Sequence, residues 1–311
     1  MRAYRSLVLA TLVLTFAVVV VGAYVRLSDA GLGCPDWPLC YGKPAPGAEV
    51  ADAAKAWKEM GHRYLVGVLG LLIAALVVLA WGTRRSRWLA TAIVAMVVFQ
   101  ATLGMWTVTR LLKPAIVSAH LLGGMAMLAL LTWLALAQWT FSASDEARAL
   151  RAPALAAIVV LAIQIALGGW VSANYAGLAC PDLPGCLSAL VPPMDFANAF
   201  HVLRELGRTG EGELLPREAL TAIHWTHRMF ALVVVLVIGW CVLRTMRVKT
   251  LRGLGLLVAT LVVLQFSLGV ANVALGLPLA LAAAHNAGAA LLVIALVVLN
   301  FFSFRGLRPH W

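Results

Sequence analysis

Eight separate stretches of this chain, at residues 6–26, 63–82, 88–109, 115–138, 153–173, 225–243, 253–274 and 279–301, are each long and apolar enough to cross a bilayer as a helix. A spanning helix needs about 20 mainly apolar residues. The composition leaves little room for another reading. With 62% hydrophobic and 12% charged residues and a mean hydropathy of +0.92, a chain of 311 residues cannot hide its apolar surface in a soluble core. The expected fold class is all-α integral membrane with eight transmembrane helices, which puts both termini on one side. The first apolar run, Leu7 to Val25, is too long for a signal peptide, and no small-residue cleavage site follows it cleanly. It is expected to remain as a helix.

Basic residues in short loops set the orientation. Arg2 and Arg5, then Arg84, Arg85 and Arg87, Arg148 and Arg151, Arg244, Arg247, Lys249 and Arg252, and finally Arg305 and Arg308 all fall on one face, which is assigned to the cytoplasm. Lys43, Lys55, Lys58, Arg204, Arg208 and Arg217 lie on the other side, where two loops are long and translocate largely regardless of charge. The net charge of +11 is therefore a topology signal. Nucleic-acid binding is excluded, because the chain has neither a basic soluble domain nor aromatic-rich strands.

Cys34 and Cys40 follow the first span and Cys180 and Cys186 the fifth, both in loops on the outer, oxidising side. Four cysteines allow three pairings, and Cys34–Cys40 with Cys180–Cys186 is the simplest. Such pairs act either as structural clips or as a redox-active dithiol that relays electrons. Zinc fits poorly, since no nearby histidine completes either pair. Cys241 stands alone in an apolar span and reads as a small core residue.

The chain repeats itself. Residues 30–40 (AGLGCPDWPLC) recur as 176–186 (AGLACPDLPGC), an offset of 146. Beyond the loops the offset becomes 165: His62-Arg63 maps to His227-Arg228, Gln100 to Gln265, Gly104 to Gly269, His120 to His285 and Gly123 to Gly288. The 19-residue difference is an insertion in the second long outer loop. Because spans 1–4 and 5–8 share one topology, the repeat is parallel. The expected plan is two tandem four-helix bundles, residues 1–140 and 153–311, joined by a cytoplasmic linker at 141–152 and related by a pseudo-two-fold axis along the membrane normal.

His62, His120, His227 and His285 each stand near the outer end of an even-numbered span, two per bundle. A lone membrane histidine is usually a hydrogen-bonding residue. Four at matched positions point instead to coordination, and two imidazoles facing each other across a bundle can hold a flat macrocycle such as b-type haem. Gly123, Gly124 and Gly288 are expected to leave room for its plane. Copper or zinc would call for a third close ligand, which only Glu59 in one half offers. Arg63 and Arg228 are candidates either for pairing with haem propionates or for snorkelling at the interface. Glu59 lies on roughly the same helical face as His62, while the matching position in the second half is His224. A carboxylate there can accept protons or stabilise positive charge, or be an ordinary interfacial charge. Segments 46–60 and 193–208 show helical apolar spacing and are expected to roof the two sites from the outer surface. His201 and His310 read as solvated.

The Gly-Leu-Gly-Cys-Pro-Asp-Trp-Pro-Leu-Cys-Tyr-Gly loop at 31–42, the Glu59-x-x-His62-Arg63 start of the second span, the duplicated eight-span plan and the four histidines in register closely resemble the haem A synthases. The resemblance covers essentially the whole chain. It implies a membrane oxidoreductase of the bacterial plasma membrane, with both termini cytoplasmic and the cysteine loops outside. Its reaction oxidises the C8 methyl group of haem O to a formyl group, giving haem A for cytochrome oxidase. It further implies that His62 and His120 flank the substrate haem O, that Glu59 is catalytic, and that His227 and His285 ligate a haem b cofactor. His224 competes with His227 for that role, and the shared offset of 165 favours His227. The implied partners are a haem O synthase and a membrane electron acceptor, and a homo-oligomer stays open. Three other readings share part of the pattern: a di-haem b-type cytochrome acting in electron transfer only, a haem or lipid transporter, and a quinone-linked disulfide-exchange enzyme.

Overall fold

The computed structural model describes residues 2–47, 50–84, 86–139, 141–142, 145–306 and 308–309. Arg85 and His310 lie outside the described residues. Eight long helices carry the fold: α1 Arg2–Leu27, α2 Ala53–Gly82, α3 Arg87–Thr109, α4 Pro114–Leu136, α5 Arg151–Ala173, α6 Arg217–Thr245, α7 Arg252–Ala274 and α8 Leu279–Arg305. All eight are long and apolar enough to cross a membrane. Proline opens α4 at its first position and immediately precedes α6 and α8, where a missing N–H leaves no helical bond unmade.

Two of the spans begin earlier than their apolar runs. α2 starts at Ala53, where the Asp52 side chain caps it by accepting the Lys55 N–H at 3.0 Å. α6 starts at Arg217. The segment at 46–60 is therefore no separate roof, because its helical part is the first turns of α2. The expected helix across 193–208 also shrinks, to the single turn Phe196–Ala199. Its apolar spacing is overridden by a tertiary bond: Arg204 turns inward, donates to Asn174 Oδ1 at 2.6 Å and lies over the Trp170 ring.

Within the first half α1 packs on α2 and α4, and α3 on α4; within the second, α5 packs on α6 and α8, and α8 on α7. The halves meet through α1, α4, α5 and α8. α8 is the most enclosed, with 67% of its apolar window buried against 17% for α3, α6 and α7. Its small residues from Ala280 to Ala290 let neighbouring backbones approach. At this seam Trp133 meets Phe301 edge-on at 5.0 Å, and a Cβ on Gly169 would press on Leu121 at 3.1 Å. Cys241 is buried in the same cluster, as a small core residue.

Polar bonds recur at matched positions. Arg5 donates to Gln138 O at 2.9 Å, and Arg151, 146 residues on, donates to Ser303 O at 3.1 Å, 165 residues beyond Gln138. Arg26 breaks the pattern. At the end of α1 it donates to Ser172 O at 2.8 Å and to the Tyr175 hydroxyl at 2.7 Å, so it grips the backbone of its own counterpart in the repeat. At the opposite end Phe141–Ser142 pairs antiparallel with Arg308–Pro309.

Asn300 on α8 donates to Ala154 O on α5 at 2.9 Å within the buried seam. Asn300→Ala is expected to lower stability by about 0.6–1.7 kcal/mol, the range for a hydrogen bond between membrane helices. Thermal unfolding in detergent measures it, and an unchanged midpoint would show that the bond contributes nothing.

Candidate functional site

The loop after the first helix of each half folds into the same clip. Disulfides join Cys34 to Cys40 and Cys180 to Cys186, with Cα atoms 4.8 and 4.7 Å apart. Asp36 accepts the amides of Tyr41 and Gly42 at 2.7 and 2.8 Å, and Asp182 accepts those of Leu187 and Ser188 at the same distances. These bonds, chiefly from Gly42 and Ser188, hold both carboxyls below their ordinary value of 3.8. The following helix then grips the clip. Arg63 donates to Asp36 O at 2.9 Å and Leu39 O at 2.6 Å, and Arg228 donates to Asp182 O at 2.9 Å and Gly185 O at 2.8 Å. The Nη1 donors of both arginines thus point into the loop backbone. Contact is so close at Gly33 that a Cβ there would lie 2.7 Å from the Lys55 carbonyl carbon.

Glu59 is seated by this clip. One carboxylate oxygen accepts the Cys34 N–H at 2.9 Å, and the other pairs with Arg63. The residue is 5% exposed. In the second half the equivalent Cys180 N–H reaches His224 Nδ1 at 3.3 Å, and Arg228, with no carboxylate to meet, turns its Nη2 to Cys180 O. A buried carboxylate and a buried imidazole therefore occupy one structural position. Each carboxylate oxygen has a second lone pair, so Glu59 keeps acceptor capacity beyond the bonds that fix it. His224 is buried and already engaged with the clip.

His62, His120, His227 and His285 stand in the first turns of α2, α4, α6 and α8, half-buried. The two imidazoles of each half lie within electrostatic reach of one another. Each ring rests on a glycine of a neighbouring helix. A Cβ would lie 2.9 Å from His62 Cε1 at Gly22, 3.4 Å from His120 Cε1 at Gly104, 3.0 Å from His227 Cε1 at Gly168 and 3.3 Å from His285 Cε1 at Gly269. These glycines, and not Gly123, Gly124 and Gly288, make room at the rings. A Cβ at Gly123 or Gly288 would collide with the amide of Gln100 or Gln265, and one at Gly124 would meet Val19. The signal for Gly22 and Gly168 was in the repeat, since they stand 146 residues apart. His201 is exposed.

Among the described residues no three His, Cys, Asp or Glu side chains converge on a common point. A donor set of two imidazoles per half, each against a residue without a side chain, fits a metal whose remaining ligands come from a planar macrocycle. It fits an all-protein zinc or copper site poorly.

The model of the COX15-CtaA family, described as cytochrome oxidase assembly protein, matches residues 5–297. A protein of Shewanella oneidensis named heme A synthase is 42% identical over 94% of this chain and 94% of its own length. Proteins of the same name from Caulobacter vibrioides and Rhizorhabdus wittichii are 30% and 28% identical, covering 95% of this chain and 94% and 92% of theirs.

Two outcomes follow from the clips. A native carboxyl pKa below the unfolded one adds stability that is complete above the unfolded value and lost as pH falls through the native one. Both loops are thus expected to stay ordered from neutral pH to about 4 and to loosen only in stronger acid. Amide exchange at Tyr41, Gly42, Leu187 and Ser188, corrected for its intrinsic pH dependence, follows this, and loosening already near pH 6 would contradict it. Gly33→Ala is expected to force the first clip off α2 and lower the melting temperature, whereas Gly31→Ala, whose Cβ would meet Leu112 at 3.5 Å, is tolerated. Equal melting temperatures for the two variants would refute the close approach.

Proposed function

The chain belongs to the COX15-CtaA family of cytochrome oxidase assembly proteins, and on that premise we propose that it oxidises haem O to haem A. It is a membrane oxidoreductase. In this reading residues 1–140 form the bundle that takes haem O between His62 and His120. Residues 153–311 form the bundle that takes haem b between His227 and His285, and 141–152 connect them on the cytoplasmic side. The bundles are related by a pseudo-two-fold axis along the membrane normal. The cysteine clips face the outer side of the plasma membrane. A haem O synthase supplies the substrate and a membrane electron acceptor takes the electrons.

The observation that carries the division of labour is the single position at which one half has Glu59 and the other His224, both on the same loop amide. With water as the source of the oxygen atom, converting a methyl to a formyl group consumes one water and releases four protons and four electrons, in two two-electron steps through the hydroxymethyl and the hydrated aldehyde. The half that performs it needs a proton acceptor, and positive charge developing next to the ring needs an anion. Glu59 meets both needs. The Cys34 N–H and Arg63 fix its orientation, and its three-residue spacing from His62 turns it to the face on which haem O is held. The clip closes the outer end of the bundle against bulk water. When bound, haem b supplies one-electron transfer between the substrate bundle and the acceptor. His227 and His285 would hold it, while His224, engaged with Cys180, stands where the other half has its carboxylate and leaves this half without that anion. Arg63 and Arg228 serve the clips first, and propionate pairing in this reading falls to their remaining donors.

The test is haem extraction after expression with haem O supplied. Glu59→Gln keeps an acceptor for the Cys34 amide but loses the charge, and is expected to lower haem A formation by roughly 100-fold or more while haem b stays bound. His227→Ala is expected to lose haem b, and His62→Ala to lose haem O but keep haem b. Parental haem A in Glu59→Gln would remove the catalytic role. A parent that holds haem b yet leaves haem O unchanged would be the electron-transfer cytochrome instead.

A further inference from the structure

Three of the four paired histidines are held by a glutamine from the neighbouring helix. Gln164 on α5 donates to His227 O at 3.1 Å and lies 3.3 Å from its Nδ1. Gln265 on α7 donates to His285 O at 2.9 Å. Gln100 on α3, with its amide nitrogen turned toward α4, donates to His120 O at 3.0 Å and accepts from Gly124 N at 3.2 Å. In each case the carbonyl belongs to the histidine itself, so the bond restrains the turn of helix that carries the imidazole. A peptide oxygen has two lone pairs, and these glutamines use the one that the helix leaves free.

The fourth histidine has no such restraint. Gln100 and Gln265 are counterparts at the offset of 165, but the counterpart of Gln164 at the offset of 146 is Val18. The register is secure, because the same offset relates Gly22 and Gly168, which lie against His62 and His227. Val18 is buried and cannot donate. Among the described residues no side-chain donor reaches His62; its Nδ1 is buried without a partner, as is that of His285, so what sets His62 apart is the missing bond to its carbonyl.

We propose that Val18 makes His62 the loose histidine, so that the first bundle releases its haem while the second, braced by Gln164, retains its own. This rests on the assignment of haem O to the first bundle and haem b to the second. A substrate must enter and its product must leave, whereas a resident cofactor must do neither. His120, braced by Gln100, remains the fixed side of the first site, and exchange is gated by the turn of α2 that carries His62. Gln164 acts through His227 and is a positioning residue.

The proposal is tested by the rate of haem loss from detergent-solubilised full-length protein to excess apomyoglobin, with the haems left behind identified after extraction. Val18→Gln supplies the missing donor. It is expected to slow the loss of haem O and haem A by roughly three- to tenfold, the worth of one hydrogen bond, without changing the loss of haem b. Gln164→Val is expected to speed the loss of haem b by a similar factor and leave haem O and haem A unaffected. A gain in retention is not something a merely structural substitution would produce. Unchanged rates in either variant overturn the proposal, and Gln164→Val decides it alone if Val18→Gln does not accumulate. If His62→Ala strips haem b instead of haem O, the assignment of the bundles fails first and takes the proposal with it.

Discussion

A backbone in hydrocarbon must satisfy its own hydrogen bonds, and the site of this molecule is built in a layer where that demand is relaxed. Through the apolar depth the chain is regular helix, and several of its hydroxyls are returned to it. Thr11, Thr15, Thr132 and Thr245 each donate to the carbonyl four residues back. At the end that carries the clips the irregular backbone is bonded as thoroughly as a helix would be. Asp36 and Asp182 take two amides each, and Arg63 and Arg228 take the carbonyls that face inward. The four histidines sit in the first turns beneath this layer, half-buried.

Duplication supplies the scaffold, and chemistry enters where the copies differ. The clips, the arginines that grip them, the glycines under the rings and the paired histidines are common to both halves. Two of the differences are small and local: a carboxylate against an imidazole on one loop amide, and a valine against a glutamine beside one histidine. Neither changes the path of the backbone. Each acts on a side chain held by a structure that was already there, so two halves of one fold can differ in task.

The spans were legible because runs of about 20 apolar residues have few other uses. The starts of α2 and α6 were not, because residues 53–62 and 217–224 mix charge with apolar positions, and spacing alone does not say whether such a turn lies on the surface or joins the span behind it. The histidines and the Glu59–His224 mismatch could be read from register. Register also pairs the glycines, Gly22 with Gly168 and Gly104 with Gly269, but does not say which pairs matter, since a glycine in a membrane helix acquires meaning only from what rests on it, and Gln100 rather than a ligand rests on Gly123. Arg63 and Arg228 were open for the same reason: a guanidinium has five donors, and nothing in the chain order says which carbonyls they meet. At 193–208 a helical pattern yielded to Arg204, whose buried bond to Asn174 needed the folded α5 to exist.

Arg26 bears on how such a protein can be assembled from parts. It closes on the backbone of Ser172, the residue that occupies its own place in the second copy. Two identical first halves brought together in the same way would set guanidinium against guanidinium, and like charges at such a contact repel. Two second halves would bring serine to serine and lose the clasp. The seam therefore accepts one half of each kind, and the covalent linker joins two pieces that are no longer interchangeable.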